Sequence, residues 1–175
     1  MRPQTLAIDV IMERVPLANR WASERWQPAA VEIVAPRAGA PAPRDLVPGT
    51  CETMPADGSG NRWRCKGFEL ELHPTEAEGY FLNITAPEPR IFVMWRMFDD
   101  GGMPPARPVL ATLSYNEASR FMDASEQVDG APMPPQVAEW MRAFVAEHYK
   151  PEPRKKRKRN DPVGDAAAGA KASRR

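Results

Sequence analysis

The apolar residues of this chain change their period at Ser114. Before it they mostly alternate with polar ones; after it they recur every three or four positions. A period of two marks a strand with one buried face, and a period near 3.6 marks an amphipathic helix. A chain that is strand-like first and helical last is expected to fold as α+β, with helices set against an antiparallel sheet.

The runs can be placed one by one. Leu6, Ile8, Val10 and Met12 lie on one side of a first strand, with Ala7, Asp9 and Glu13 on the other. Val31 and Ile33 flank Glu32 and predict a second strand, ending near Pro36. Phe68, Leu70 and Leu72 alternate with Glu69 and Glu71, and Tyr80, Leu82 and Ile84 alternate with Phe81, Asn83 and Thr85. Residues 91–98 are apolar on both sides except at Arg96, which predicts a strand covered on both faces. A sixth strand spans residues 109–113, and the short connections favour antiparallel pairing.

Ser114-Tyr115-Asn116-Glu117 then reads as a capping box opening a helix that runs to about Asp123. Val137, Trp140, Met141, Phe144, Val145 and His148 form the stripe of a second helix, stopped by Pro151. The expected architecture is a curved antiparallel sheet of about six strands followed by two C-terminal helices packed on it. Residues 1–153 form the single domain. Within it, residues 36–62 hold Pro, Gly, Ala and Arg with no apolar period and read as a long loop.

Charge divides the chain. Residues 154–175 carry nine Lys/Arg and two Asp/Glu, a balance of +7, whereas residues 1–153 carry 15 Lys/Arg and 21 Asp/Glu, a balance of −6. The tail, with its run Arg154, Lys155, Lys156, Arg157, Lys158 and Arg159, is expected to be disordered and is the anion-binding candidate. An acidic body argues against a body-wide nucleic-acid surface. No apolar run approaches the roughly 20 residues of a membrane-spanning helix. Asp9 and Glu13 interrupt the only apolar stretch near the start, which speaks against a secretory signal. Cys51 and Cys65 form no CxxC and are expected to be free thiols in a reducing cytoplasm.

Few residues point to chemistry. Gly-x-Ser-x-Gly, the P-loop and the dinucleotide-binding glycine fingerprint are all absent, and two histidines leave little choice of general base. The expectation is no catalysis and no cofactor. His73 with Glu76 and Glu78 is the best metal-like grouping, but turns gather such residues without binding a metal, so none is expected. His148 reads as a half-buried helix-end residue. Arg96 needs a carboxylate, and Glu69 or Glu71 on another strand would serve. The most unusual local feature is the doubled Arg-Trp at Arg20-Trp21 and Arg25-Trp26. Exposed, the four would make a partner-binding patch of the kind that interface hot spots favour; buried, they would close the end of the sheet.

Several stretches together carry a resemblance: residues 16–26, 70–80, 91–96, 114–118, 128–134 and 148–153. Through them the chain resembles a bacterial family of unknown function, commonly encoded beside molybdenum- or tungsten-dependent formate dehydrogenase genes. The resemblance implies a cytoplasmic accessory role in assembly, cofactor insertion or regulation of that enzyme. It further implies a protein partner, either formate dehydrogenase subunits or a small co-encoded protein, and it brings no catalytic residues. Two other readings stand beside it. One is a nucleic-acid-associated protein acting through residues 154–159; the other is a cofactor- or metal-binding protein or enzyme centred on His73, Glu76 and Glu78.

Overall fold

In the computed structural model, residues 4–35, 50–55 and 61–151 are described. The first strand, β1 (Gln4–Pro16), is longer than its alternation alone predicts, and β2 (Glu24–Ile33) begins seven residues before Val31. These two pair antiparallel through a turn at residues 17–23. Strand β4 (Arg62–Leu72) pairs with the other side of β1. A short strand, β3 (Thr50–Thr53), lies outside β4, giving a sheet of order β2-β1-β4-β3. Residues 36–62 are therefore not wholly a loop, because four of them form β3.

A bulge between β1 and β4 keeps the apolar face continuous. Opposite Asp9, β4 contributes two residues, Lys66 and Gly67, so the pairing steps from Ile8↔Phe68 to Val10↔Cys65. Gly67 takes φ of +89°, which a side chain would disfavour. The extra residue shifts the phase of the strand. Trp63 and Cys65 before it, and Phe68, Leu70 and Leu72 after it, all reach the core. On the opposite face Arg64 bonds Glu32 at 2.7 Å and approaches Asp9 at 3.8 Å, while Arg62 bonds Glu13 at 3.0 Å. Burial pushes the Asp9 carboxyl above its ordinary value even though Arg64 and Lys66 oppose the shift.

After β4, Pro74–Glu76 make one 3-10 turn that leads into α1 (Ala77–Ile84). The sequence predicts a strand here, and the structure corrects it. Tyr80, Leu82 and Ile84 fit a period of two, but Ala77, Tyr80 and Asn83 are buried at helical spacing and Leu82 is 43% exposed. The helix has its own signals: Pro74 opens the 3-10 turn that leads into it, and the carboxylates of Glu76 and Glu78 stand at its N-terminal end.

The second sheet contains β5 (Arg90–Met97), β6 (Ala106–Thr112) and β7 (Gln127–Pro132), in the order β6-β5-β7 and antiparallel throughout. Between β6 and β7 runs α2 (Tyr115–Asp123), and α3 (Pro135–His148) follows β7. The fold class is α+β as expected. The described residues form two sheets of four and three strands rather than one of about six, with three helices rather than two. Strand β7 escapes the sequence pattern because Gln127-Val128-Asp129-Gly130 offers almost no apolar residues. Its pairing with β5 and the bond from Trp95 Nε1 to Asp129 Oδ2, 2.8 Å, hold it in place.

A single core joins the layers. Ile8, Val10 and Met12 from β1, Leu70 and Leu72 from β4, Ile91 and Val93 from β5, Tyr80 from α1, and Met141 and Phe144 from α3 belong to one buried cluster. Each such large side chain contributes about 1.5–3 kcal/mol on burial. Both cysteines depart from expectation: Cys51 of β3 stands directly opposite Cys65 of β4, and the two form a disulfide. The physical reason is register. Sequence separation says nothing about two residues that a ladder brings to one pair position.

Candidate functional site

The turn between β1 and β2 is built around Asn19. Its side-chain oxygen accepts from the amides of Trp21 at 3.0 Å and Ala22 at 2.7 Å, while the Leu17 amide bonds the Ser23 carbonyl at 2.9 Å. This Asx-type turn holds the backbone under Trp21, whose side chain is 92% exposed. Arg20 is exposed beside it, and Arg25 at the start of β2 turns to the neutral amide oxygen of Gln27. Among the described residues neither guanidinium is ion-paired.

Trp26 has a different fate. It is 6% exposed, its ring centroid lies 5.1 Å from that of Trp63, and its Nε1 donates to Glu24 at 3.1 Å. Glu24 in turn lies 3.8 Å from Arg14, which also donates to Asn61 at 2.8 Å. The doubled Arg-Trp pattern therefore splits. Arg20, Trp21 and Arg25 stay at the surface, and Trp26 closes the core as in the alternative reading of the motif. The run Arg154, Lys155, Lys156, Arg157, Lys158 and Arg159 lies outside the described residues.

A polar cluster ties α1 to α2. Ser114 Oγ donates to Glu76 at 2.7 Å and accepts from the Glu117 amide at 3.1 Å, so the expected cap is present. The reciprocal arm of the capping box is relayed: Thr112 Oγ1 donates to the Glu117 carboxylate and accepts from the Ser114 amide at 3.0 Å. Arg120 donates to the other Glu76 oxygen at 2.8 Å. Burial alone would raise the Glu76 carboxyl, but the bonds from Ser114 and Arg120 outweigh it and hold the group below its ordinary value.

The metal-like grouping is not assembled. His73 turns to Glu71 at 2.8 Å, Glu76 is taken up by Ser114 and Arg120, and Glu78 is exposed. Among the described residues no three His, Cys, Asp or Glu side chains are gathered in a way that can hold a metal ion. Tyr80 bridges this region to the core. Its hydroxyl accepts from the His73 amide at 3.1 Å and donates to the Glu71 carbonyl at 3.3 Å, and burial pushes it up to about 12. His148 ends α3 half-buried with its ring 4.2 Å from that of Phe144.

Arg96 also differs from expectation. It lies exposed near the end of β5 and forms a two-pronged bond with Glu126 rather than with Glu69 or Glu71. The reason is the second sheet. Glu126 immediately precedes β7, the neighbour of β5, whereas Glu69 and Glu71 belong to the other sheet.

Two further surfaces are not visible in the sequence pattern. Leu82, Asn83, Ala86, Glu88, Arg90, Phe92 and Tyr115 line an open groove of about 460 Å³. The β5–β6 turn exposes Met97, Phe98 and Met103, with Arg107 lying over the Phe98 ring at 4.9 Å and paired to Asp100. That pairing holds the Asp100 carboxyl down at about 2. Isolated apolar residues in turns carry no period, so only the fold identifies them as surface.

Residues 7–158 match the model of a family described as a protein of unknown function, DUF3305. No curated protein and no solved structure matches the chain. Among the described residues no helix is long and apolar enough to cross a membrane.

Proposed function

The chain belongs to the DUF3305 family of unknown function, and we propose that it is a non-catalytic interaction module that engages a protein partner through the β1–β2 turn. The observation that carries this reading is Trp21, 92% exposed on a backbone already fixed by Asn19. A rigid turn loses little freedom on binding, and an exposed indole offers large apolar area with a hydrogen-bond donor. Arg20 and Arg25 add planar donors to an otherwise acidic body, so a partner face carrying carboxylates around an apolar pocket fits best. Glu76 is taken up by Ser114 and Arg120 and His73 by Glu71, which supports a structural role for this polar cluster.

The partner assigned by resemblance is a formate dehydrogenase, or the small protein encoded with it, in the cytoplasm. The role is assembly, cofactor insertion or regulation, and the chain needs no cofactor of its own. The test has two arms. Wild-type chain and Trp21→Ala are used to capture purified formate dehydrogenase subunits and the co-encoded protein, and a deletion strain is assayed for formate dehydrogenase activity and molybdenum content. Capture that depends on Trp21, with loss of activity on deletion, supports the reading. Unchanged activity and molybdenum content in the deletion strain sink the formate dehydrogenase assignment.

The nucleic-acid reading rests on residues 154–159. It requires binding that weakens with a slope of about −5 in log affinity against log salt and disappears with residues 154–175.

A further inference from the structure

Cys51 and Cys65 are the two cysteines of the chain, and register places them face to face across β3 and β4 with their Cα atoms 4.0 Å apart. Strand β3 is held by its four-pair ladder with β4 and by this bond, and little of its side-chain surface is buried. Thr50, Glu52 and Thr53 are exposed, and Cys51 is the residue of the four that packs against the core. Its further ties include the bond from the Met54 amide to the Arg62 carbonyl, 2.9 Å, and the Lys66–Glu52 ion pair, 2.7 Å, whose partners are both substantially exposed. Such a pair adds little stability in water, and a four-residue edge strand is weak on its own.

The two sulfurs are unequal. Cys65 is fully buried, whereas Cys51 is partly exposed. An incoming thiolate from solvent therefore reaches Cys51 first.

We propose that Cys51–Cys65 is a thiol–disulfide exchange site for a dithiol reductant, and that the exchange works as a latch on β3. The first thiolate attacks Cys51 Sγ, forms a mixed disulfide there and breaks the Sγ–Sγ bond. Cys65 leaves as a thiolate and takes up a proton, since its apolar surroundings disfavour the charge. The second thiol of the reductant, as thiolate, displaces the Cys51 sulfur, which is protonated in turn. The protein gains two electrons and two protons, and the dithiol becomes a disulfide. With the covalent bond gone, β3 leaves β4 and uncovers the outer edge of residues 63–66. An uncovered edge presents unpaired backbone groups ready to accept another strand. In a reducing compartment the open form prevails, and oxidation closes it. This inference is independent of the role of Trp21.

The test uses the oxidised full chain treated with dithiothreitol under native conditions, with thiols counted by alkylation and amide exchange followed by mass spectrometry. Two alkylatable thiols should appear without unfolding. Exchange should speed up by about tenfold or more in peptides covering residues 50–53 and 63–66, and stay unchanged in those covering β1 and β2. Cys51→Ser should exchange like the reduced chain. The proposal is overturned if thiols appear only after unfolding, if they appear with exchange unchanged, or if exchange rises throughout the chain. The last result would make the bond a staple of the whole domain.

Discussion

Gly79 of α1 sits against Ser114 at the head of α2: a Cβ built on the glycine would lie 2.1 Å from Ser114 Oγ. That oxygen is not at liberty to move, because Glu76 and the Glu117 amide both bond it. The two helices thus meet where one has no side chain and the other has its cap. Gly79→Ala should destabilise the fold by about 1–3 kcal/mol despite alanine's better helix propensity, since overpacking outweighs the gain of about 1 kcal/mol. Urea denaturation reads the difference directly, and an unchanged or higher midpoint would show that Ser114 yields.

The same junction sets a pH dependence. Desolvation acts to raise the Glu76 carboxyl, but Ser114 and Arg120 prevail and its folded pKa is depressed. A depressed carboxylate contributes stability that is present above the unfolded value, near 4.5, and lost as pH falls through the folded value. Glu76→Gln should therefore lower the melting temperature at pH 7 and flatten its decline below about pH 4.5 relative to wild type. Parallel wild-type and variant curves across pH 3–7 would remove Glu76 as the cause.

Trp21 and Trp26, five residues apart, should respond oppositely to truncation. Trp21→Ala should change stability by no more than about 0.5 kcal/mol, as should Arg20→Ala with Arg25→Ala, because these side chains lie at the surface. Trp26→Ala removes the partner of Trp63 and should cost about 3–5 kcal/mol. Thermal melts of the three variants decide it, and an early-melting Trp21→Ala would make the turn a structural element.

Asn83 is buried at the centre of a backbone junction. Its amide nitrogen donates to the carbonyls of Arg90 and Leu113 at 2.7 and 2.8 Å, and its oxygen accepts from the Arg90 amide at 3.0 Å. Asn83→Leu would leave those three backbone groups without their partner. The expected loss is about 2–4 kcal/mol, at 1–3 kcal/mol for each buried group left unsatisfied and with partial relaxation. Amide exchange at the start of β5 should rise more than elsewhere, and uniform exchange would place the role of Asn83 outside this junction.

Much of the architecture is legible in local pattern. Leu6 to Met12 alternates in the sequence and lies in β1, Val137 to His148 has the helical stripe of α3, and Ser114 caps α2 with the bond to Glu117 that the motif requires. Where pattern misleads, the reason is particular. Tyr80-Phe81-Leu82-Asn83-Ile84 satisfies both periods over so short a run, and Pro74 with Glu76 and Glu78 tips it to helix. Of the candidate patch, Arg20, Trp21 and Arg25 were legible as a group, but burial of Trp26 depends on Trp63, which is 37 positions away in the chain.

The sequence by itself determined the fold class, the division into an acidic body and a basic tail, and the Ser114 cap, because each follows from the side chains of near neighbours; the strand-first, helix-last order did not hold, since α1 and α2 stand between strands. Tertiary structure alone decided that the strands divide into two sheets, that Arg96 meets Glu126, that Trp21 and Trp26 part company, and that Cys51 faces Cys65. All four depend on register between segments distant in the chain. Register is set by the packing of the whole core, and a bulge of one residue, as at Gly67, is enough to change which side chains meet.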